Sequence, residues 1–230
     1  MTRIYSPATT LDHWRIGLAD PNKHWRAGYS AMATAQSWQT ANGTLPPEIA
    51  RLFDPEPELL LAIPEHKVPL PGGNRDSQCD VFALVRSGKR TIAVAVEAKV
   101  NEPFGDTVGS WYAKPTQGRT ERLSALCAWL GLSFPPDPAL RYQLLHRTGA
   151  AIVEARRFGL GHAAMIVQSF APDARWIEDF RAFAAALGLT PDRDQSATCR
   201  LPCGLDLTLG WATGDPIFLS DLAEAPPWNG

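Results

Sequence analysis

Gln78-Cys79-Asp80-Val81-Phe82-Ala83-Leu84-Val85-Arg86-Ser87-Gly88-Lys89-Arg90-Thr91-Ile92-Ala93-Val94-Ala95-Val96-Glu97-Ala98-Lys99 decides the fold. Two runs rich in Val, Ile, Phe and Ala flank a polar break at Gly88, which is the composition of a β-hairpin. With a two-residue loop at Gly88-Lys89, facing residues have numbers that sum to 177, and Asp80 lies opposite Glu97. A Ser87-Gly88 loop shifts the sum to 175 and pairs Asp80 with Ala95, leaving Glu97 as its diagonal neighbour on the same face. Lys99 follows Glu97 by two and joins that face. Either register brings two carboxylates and an amine to one end of a hairpin that is otherwise apolar.

Like charges at cross-strand distance repel and lose hydration unless a positive group lies between them. A divalent cation is one solution, because Mg²⁺ is commonly held by one or two carboxylates with waters and phosphate oxygens completing its shell. The other is a structural ion pair in which Lys99 alone neutralises Glu97.

Asp80 followed, across a hairpin, by Glu97-Ala98-Lys99 resembles the signature of the PD-(D/E)XK nuclease superfamily, the restriction-endonuclease-like fold. Cys79 stands where that motif has proline, a departure that removes no metal ligand. The strings Pro64-Glu65-His66-Lys67-Val68-Pro69-Leu70-Pro71-Gly72-Gly73 and Asn101-Glu102-Pro103-Phe104-Gly105 are also similar to a bacterial family of unknown function, over most of the chain. The resemblance implies a catalytic set of Asp80, Glu97 and Lys99, with Mg²⁺ or Mn²⁺ held by Asp80, Glu97 and the Ala98 carbonyl. It also implies a glutamine on the helix behind the site, at Gln143, that positions the lysine or the water. Many of these enzymes carry a further glutamate. Glu48 matches its usual place on a preceding helix, although an acid in a first helical turn is also favoured by the dipole. Glu65 becomes the better candidate if its strand pairs with the hairpin.

Taken in order, residues 10 to 42 read as a helical segment with Trp14, Trp25, Tyr29, Met32 and Trp38 as core anchors, Ser30 as an N-cap and Asn42-Gly43 as its end. Pro46 to Phe53 is a short helix opened by proline. Leu59 to Leu70 is extended, Pro71-Gly72-Gly73 turns, and Val100 to Gln117 is irregular. Loops at strand ends meet substrates, so Glu102, Trp111, Tyr112 and Lys114 are candidate contacts. Arg119 to Leu132 and Ala139 to Phe158 are helices. On the second, Arg147 lies four residues from Gln143 and is a candidate phosphate contact, while His146 reads as a structural histidine. His162 to Phe170 is an apolar central strand, a helix follows from Trp176 to Leu187, and Leu205–Leu209 and Ile217–Leu219 offer edge strands.

These elements make one α/β domain over 1–230: an N-terminal helical part (1–55), a core (56–172), and a C-terminal helix with edge strands (173–230). The expected core is α-β-β-β-α-β, a mixed central sheet flanked by helices. A hydrophobic fraction of 45 % and a charged fraction of 20 % suit a soluble globular protein. The N-terminus has no apolar targeting core and no run is long enough to span a bilayer, so a cytoplasmic protein is expected. Cys79, Cys127, Cys199 and Cys203 are too scattered for a disulfide framework, and Cys199 with Cys203 lacks the second pair a zinc site needs.

A net charge of −2 argues against a non-specific nucleic-acid coat. Between residues 110 and 160, however, seven basic residues face three acidic ones, a net +4 that can serve phosphate or simply be solvated. No dinucleotide fingerprint, phosphate loop, His-Glu-x-x-His or nucleophile elbow is present. Two expectations remain: a Mg²⁺-dependent phosphodiesterase on DNA or RNA, as a monomer or homodimer, or a catalytically silent member of the same fold that acts as an interaction module.

Overall fold

A computed structural model describes residues 10–18 and 20–220. The N-terminal residues read above for targeting lie outside the described residues. Four helices come first: α1 (Leu11–Gly17), α2 (Pro21–His24), α3 (Ser30–Thr40) and α4 (Pro47–Ala50). Then follow β1 (Pro57–Val68), β2 (Ser77–Ser87), β3 (Arg90–Lys99), α5 (Val108–Trp111), α6 (Gln117–Leu130), α7 (Tyr142–Arg157), β4 (His162–Ser169), α8 (Ile177–Ala186), β5 (Ser196–Arg200) and β6 (Asp206–Thr213). The six strands form one open sheet in the order β1-β2-β3-β4-β6-β5.

The hairpin has the two-residue loop. The β2–β3 ladder runs from Val81↔Val96 to Ser87↔Arg90, each pair summing to 177. Gly88 takes φ +60°, a conformation only glycine adopts without steric cost. β3 and β4 are parallel, which a tight turn cannot join. The crossover is made by α6 and α7. Ala93 and Ala95 of β3 pack in the core that α6, α7 and α8 build with Leu126, Leu144, Ile152 and Phe180. Their neighbours Ile92, Val94 and Val96 face the N-terminal helices, against Trp14, Trp38, Ile49 and Leu52. The result is a mixed sheet between two helical layers, with the carboxyl end of β3 opening toward the N-terminus of α7.

Three expectations need correction. β6 is an interior strand, parallel to β4 and antiparallel to β5, with Leu207, Leu209 and Trp211 fully buried. Ile217–Leu219 is no strand: it lies in a 3-10 turn (Pro216–Leu219) whose first N–H partner is the Asp215 side chain, at 2.9 Å from Ile217 N. Pro216 has no N–H to give to a ladder. The start of α3 also differs. Tyr29 is its N-cap and offers no side-chain acceptor. Glu102 supplies one from across the fold, accepting from Ser30 N at 3.3 Å and Ser30 Oγ at 3.2 Å. Among the described residues, no helix is long and apolar enough to cross a membrane.

Candidate active site

The site forms where the strand ladder ends. β1 and β2 pair as Pro64↔Val81 and His66↔Cys79, which brackets Glu65 and Asp80. Cys79 packs on the α6–α8 side and Val81 on the N-terminal side, so the two-residue alternation breaks at Asp80. Glu65 marks the same irregularity with φ +52°. Asp80 turns its carboxylate onto the neighbouring strand, where Oδ2 accepts from Ala98 N at 2.6 Å. A side-chain oxygen thus takes the place of a backbone partner at the strand end.

Glu97, one residue away, continues the α7-facing set of β3 and is 2 % exposed. Its Oε1 accepts from Lys99 Nζ at 2.6 Å and from Gln143 Nε2 at 2.7 Å, and its Oε2 accepts from Arg147 Nε. Gln143 and Arg147 are one helical turn apart on α7, so both reach the same carboxylate. Arg147 also donates to Ser77 Oγ at 3.2 Å, and Ser77 Oγ is 2.8 Å from His146 Nδ1. Lys99 Nζ lies 5.1 Å from the Phe104 ring centroid. Asp80, Glu97, Ala98, Lys99, Gln143 and Arg147 all line a single cleft of about 420 Å³.

The two acids differ in charge state. Burial works to raise Glu97, but Arg147 and Lys99 outweigh it and bring its pKa down to about 2. Asp80 goes the other way. Burial and the Glu97 charge push it up to about 7, against the pull of Arg147, Lys99 and the Ala98 N–H. Glu65 is pushed up to about 8 by burial and Asp80, although Gln78 Nε2 donates to its Oε2 at 2.5 Å. His146 is driven down to about 3, chiefly by burial, and is neutral at physiological pH.

The other sequence candidates sort by position. Glu65 lies beside Asp80 and Arg147 in an adjoining cleft of about 240 Å³. Glu48 belongs to the opposite layer, where it accepts from Ser37 Oγ at 3.0 Å and Gln168 Nε2 at 2.7 Å, so Glu65 is the accessory acid the geometry offers. Arg147 is 8 % exposed and engaged with Glu97 and Ser77 rather than presented to a phosphate. Lys114 is exposed and does not line the cleft, and its carbonyl accepts from Arg119. Glu102 lines the cleft but is held by Ser30 and by Val100 N at 3.1 Å. Sequence reasoning missed Ser77, His24 and Tyr142. A serine at a strand start and a histidine in a short helix carry no local signal; His24 and Tyr142 line the cleft, and Ser77 is tied to it through Arg147, which donates to its hydroxyl.

The donor set is made of hard oxygens, the type Mg²⁺ and Mn²⁺ prefer. Asp80 Oδ1 has no hydrogen bond to a described residue, and Glu97 uses three of its roughly four acceptor positions. Among the described residues no group of three or more His, Cys, Asp or Glu gathers as a cation cage. A cation here would therefore take Asp80, Glu97 and the Ala98 carbonyl and rely on water or substrate for the rest, the usual manner of Mg²⁺.

No curated protein and no solved structure matches the chain. One family does, described as "Domain of unknown function (DUF6946)", and its match runs over residues 7–216. Because that match takes in the hairpin, the cleft and all six strands, the chain belongs to the DUF6946 family.

Proposed function

We propose that this chain is a metal-dependent phosphodiesterase acting on nucleic acid, with a restriction-endonuclease-like core. The observation that carries the reading is the meeting of Asp80 and Glu97, from adjacent antiparallel strands, in one cleft with Lys99. The order helix, three strands, helices, parallel strand supports it independently of the motif.

Asp80, Glu97 and the Ala98 carbonyl are the residues that would hold Mg²⁺ or Mn²⁺. Such an ion would polarise a bound water toward deprotonation and neutralise charge on a phosphoryl group. Gln143 and Arg147 fix the orientation of Glu97 through both its oxygens, and Arg147 with Lys99 keeps it ionised. Lys99 is placed by Glu97 to orient the attacking water and to donate to a phosphate oxygen as negative charge develops there. Glu65 contributes a further carboxyl group beside Asp80.

One observation favours a second reading, an inactive member of the fold that works as an interaction module. Lys99 and Arg147 both pair with Glu97, so that carboxylate is already neutralised without a cation. Incubation of the purified protein with single- and double-stranded DNA and RNA plus Mg²⁺ or Mn²⁺ separates the two. The phosphodiesterase reading expects cleavage that Asp80→Ala and Lys99→Ala each abolish. Wild-type protein that cuts none of these substrates with either metal would leave the module as the surviving account.

A further inference from the structure

Trp111, Tyr142 and His146 line the cleft on one side and, on the other, a second pocket of about 450 Å³. This pocket lies between the glycine turn after β1 and the first turn of α6. Its wall is backbone against backbone: a Cβ on Gly72, whose φ is +69°, would come within 2.2 Å of the Gly118 carbonyl oxygen.

Three guanidinium groups line it, from Arg75, Arg119 and Arg122, against the single carboxylate of Asp76. Among the described residues none of the three is within ion-pair distance of an acid. Arg122 is 8 % exposed and donates to the carbonyls of Pro71 at 3.0 Å and Leu70 at 3.4 Å. Arg119 donates to the carbonyls of Trp111 at 2.9 Å and Lys114 at 3.2 Å. Carbonyls orient a guanidinium but do not neutralise it, and charge sheltered from water without a counter-ion is costly. The N-terminus of α6, capped by Thr116, adds its positive dipole end.

A second observation points to a ligand. Tyr142 is 9 % exposed, and its hydroxyl has the Arg122 guanidinium beside it, which can only donate, so the O–H hydrogen is left without an acceptor. Tyr142 belongs to the same pocket wall as the arginines. Trp111, in contrast, has no free face for a base: Tyr142 stacks on it at 3.8 Å between centroids, and the Arg119 guanidinium lies 5.4 Å from its ring centroid. The pocket offers charge and donors without a stacking platform.

We infer that this pocket holds a phosphate of a polynucleotide strand, flanking the one presented to Asp80 and Glu97, and reads backbone rather than base. The strand's identity rests on the reading proposed above; the anion site rests on the pocket itself. Binding is measured without metal, in EDTA, with a short fluorescent single-stranded oligonucleotide, by anisotropy over a range of salt. The oligonucleotide is expected to bind and to be displaced by inorganic pyrophosphate. Arg75→Glu changes an exposed side chain and should lower the slope of log affinity against log salt by about 1. Tyr142→Phe, which removes one oxygen, should weaken binding about fivefold.

Unchanged affinity and salt slope in both variants would overturn the inference, as would pyrophosphate binding with no oligonucleotide binding, or no binding of either. The catalytic reading fails separately. Pocket-dependent binding in EDTA with no cleavage under any metal would sink the phosphodiesterase and leave the anion site standing; cleavage that is indifferent to both variants would do the reverse.

Discussion

Glu97 is surrounded by more charge than any other acid of the cleft, and its removal should be felt first in stability. Glu97→Ala leaves Lys99 and Arg147, 4 % and 8 % exposed, without their counter-ion. Breaking a buried pair in this way costs ~3–5 kcal/mol, which urea unfolding would read as a lower midpoint at unchanged slope. Asp80 gives the opposite sign. Its folded-state pKa of about 7 lies above the ordinary 3.8, so the folded protein holds the proton more tightly. Stability from this group is therefore full below pH 3.8 and lost as pH rises toward 7. Asp80→Asn keeps an acceptor for Ala98 N–H and cannot ionise. Its melting temperature should exceed that of the wild type at alkaline pH, and the difference should vanish in acid; a difference independent of pH would contradict the assignment. Glu97 and Lys99 were legible as neighbours on one face of β3, and the hairpin brought Asp80 to the same end, but its placement was not legible, because the alternation breaks there and its carboxylate meets the Ala98 N–H. Arg147 was legible as a residue but not in its role. That it meets Glu97 instead of a phosphate depends on the depth at which α7 crosses β3, which no local pattern encodes.

At the scale of elements, the strands with strong β-branched content and the long helices with Leu at helical spacing declared themselves, and the turn of the hairpin followed from Gly88. β5, Ser-Ala-Thr-Cys-Arg, is short and half-polar, so nothing sets it apart from a loop until β6 offers it an edge. β6 reads as an edge strand because Asp206 and Thr208 interrupt its apolar residues. Those two instead meet Arg200 at 3.0 Å and Thr198 at 2.9 Å on β5, while Leu207 and Leu209 fill the core. The glycine turn after β1 makes a sharper demand. Gly72→Ala combines a left-handed φ with a 2.2 Å approach to the Gly118 oxygen. It should destabilise by more than ~1 kcal/mol, and should disturb α6 in hydrogen exchange before the hairpin. Equal protection in Gly72→Ala and the wild type would show that the turn and α6 give way without strain.

Across the whole molecule, the sheet is held between two helical layers, and the N-terminal one is tied down by polar contacts as well as apolar ones. Gln168, fully buried on β4, accepts from Trp38 Nε1 at 3.1 Å and donates to Ser37 Oγ at 3.0 Å and Glu48 Oε1 at 2.7 Å. Glu102 fastens the start of α3 beside the cleft. Gln168→Leu leaves Trp38 Nε1 without its acceptor and Glu48 with Ser37 alone, and an unmet buried group costs ~1–3 kcal/mol. The amides of α3 and α4 should then exchange faster while those of α7 keep their protection; a uniform loss would mean that the layers open as one. A net charge of −2 conceals this division of the surface, since the excess of guanidinium lies around α6, next to the acids.

The account depends on Asp80 and Glu97 acting jointly on one cation, and calorimetric titration of Mg²⁺ and Mn²⁺ into the pure protein tests that most directly. The expected result is a single binding event that strengthens as pH rises through 7, because Asp80 must release its proton to ligate, and that disappears in Asp80→Ala. Absence of binding heat with either ion, or undiminished binding in Asp80→Ala, would contradict it.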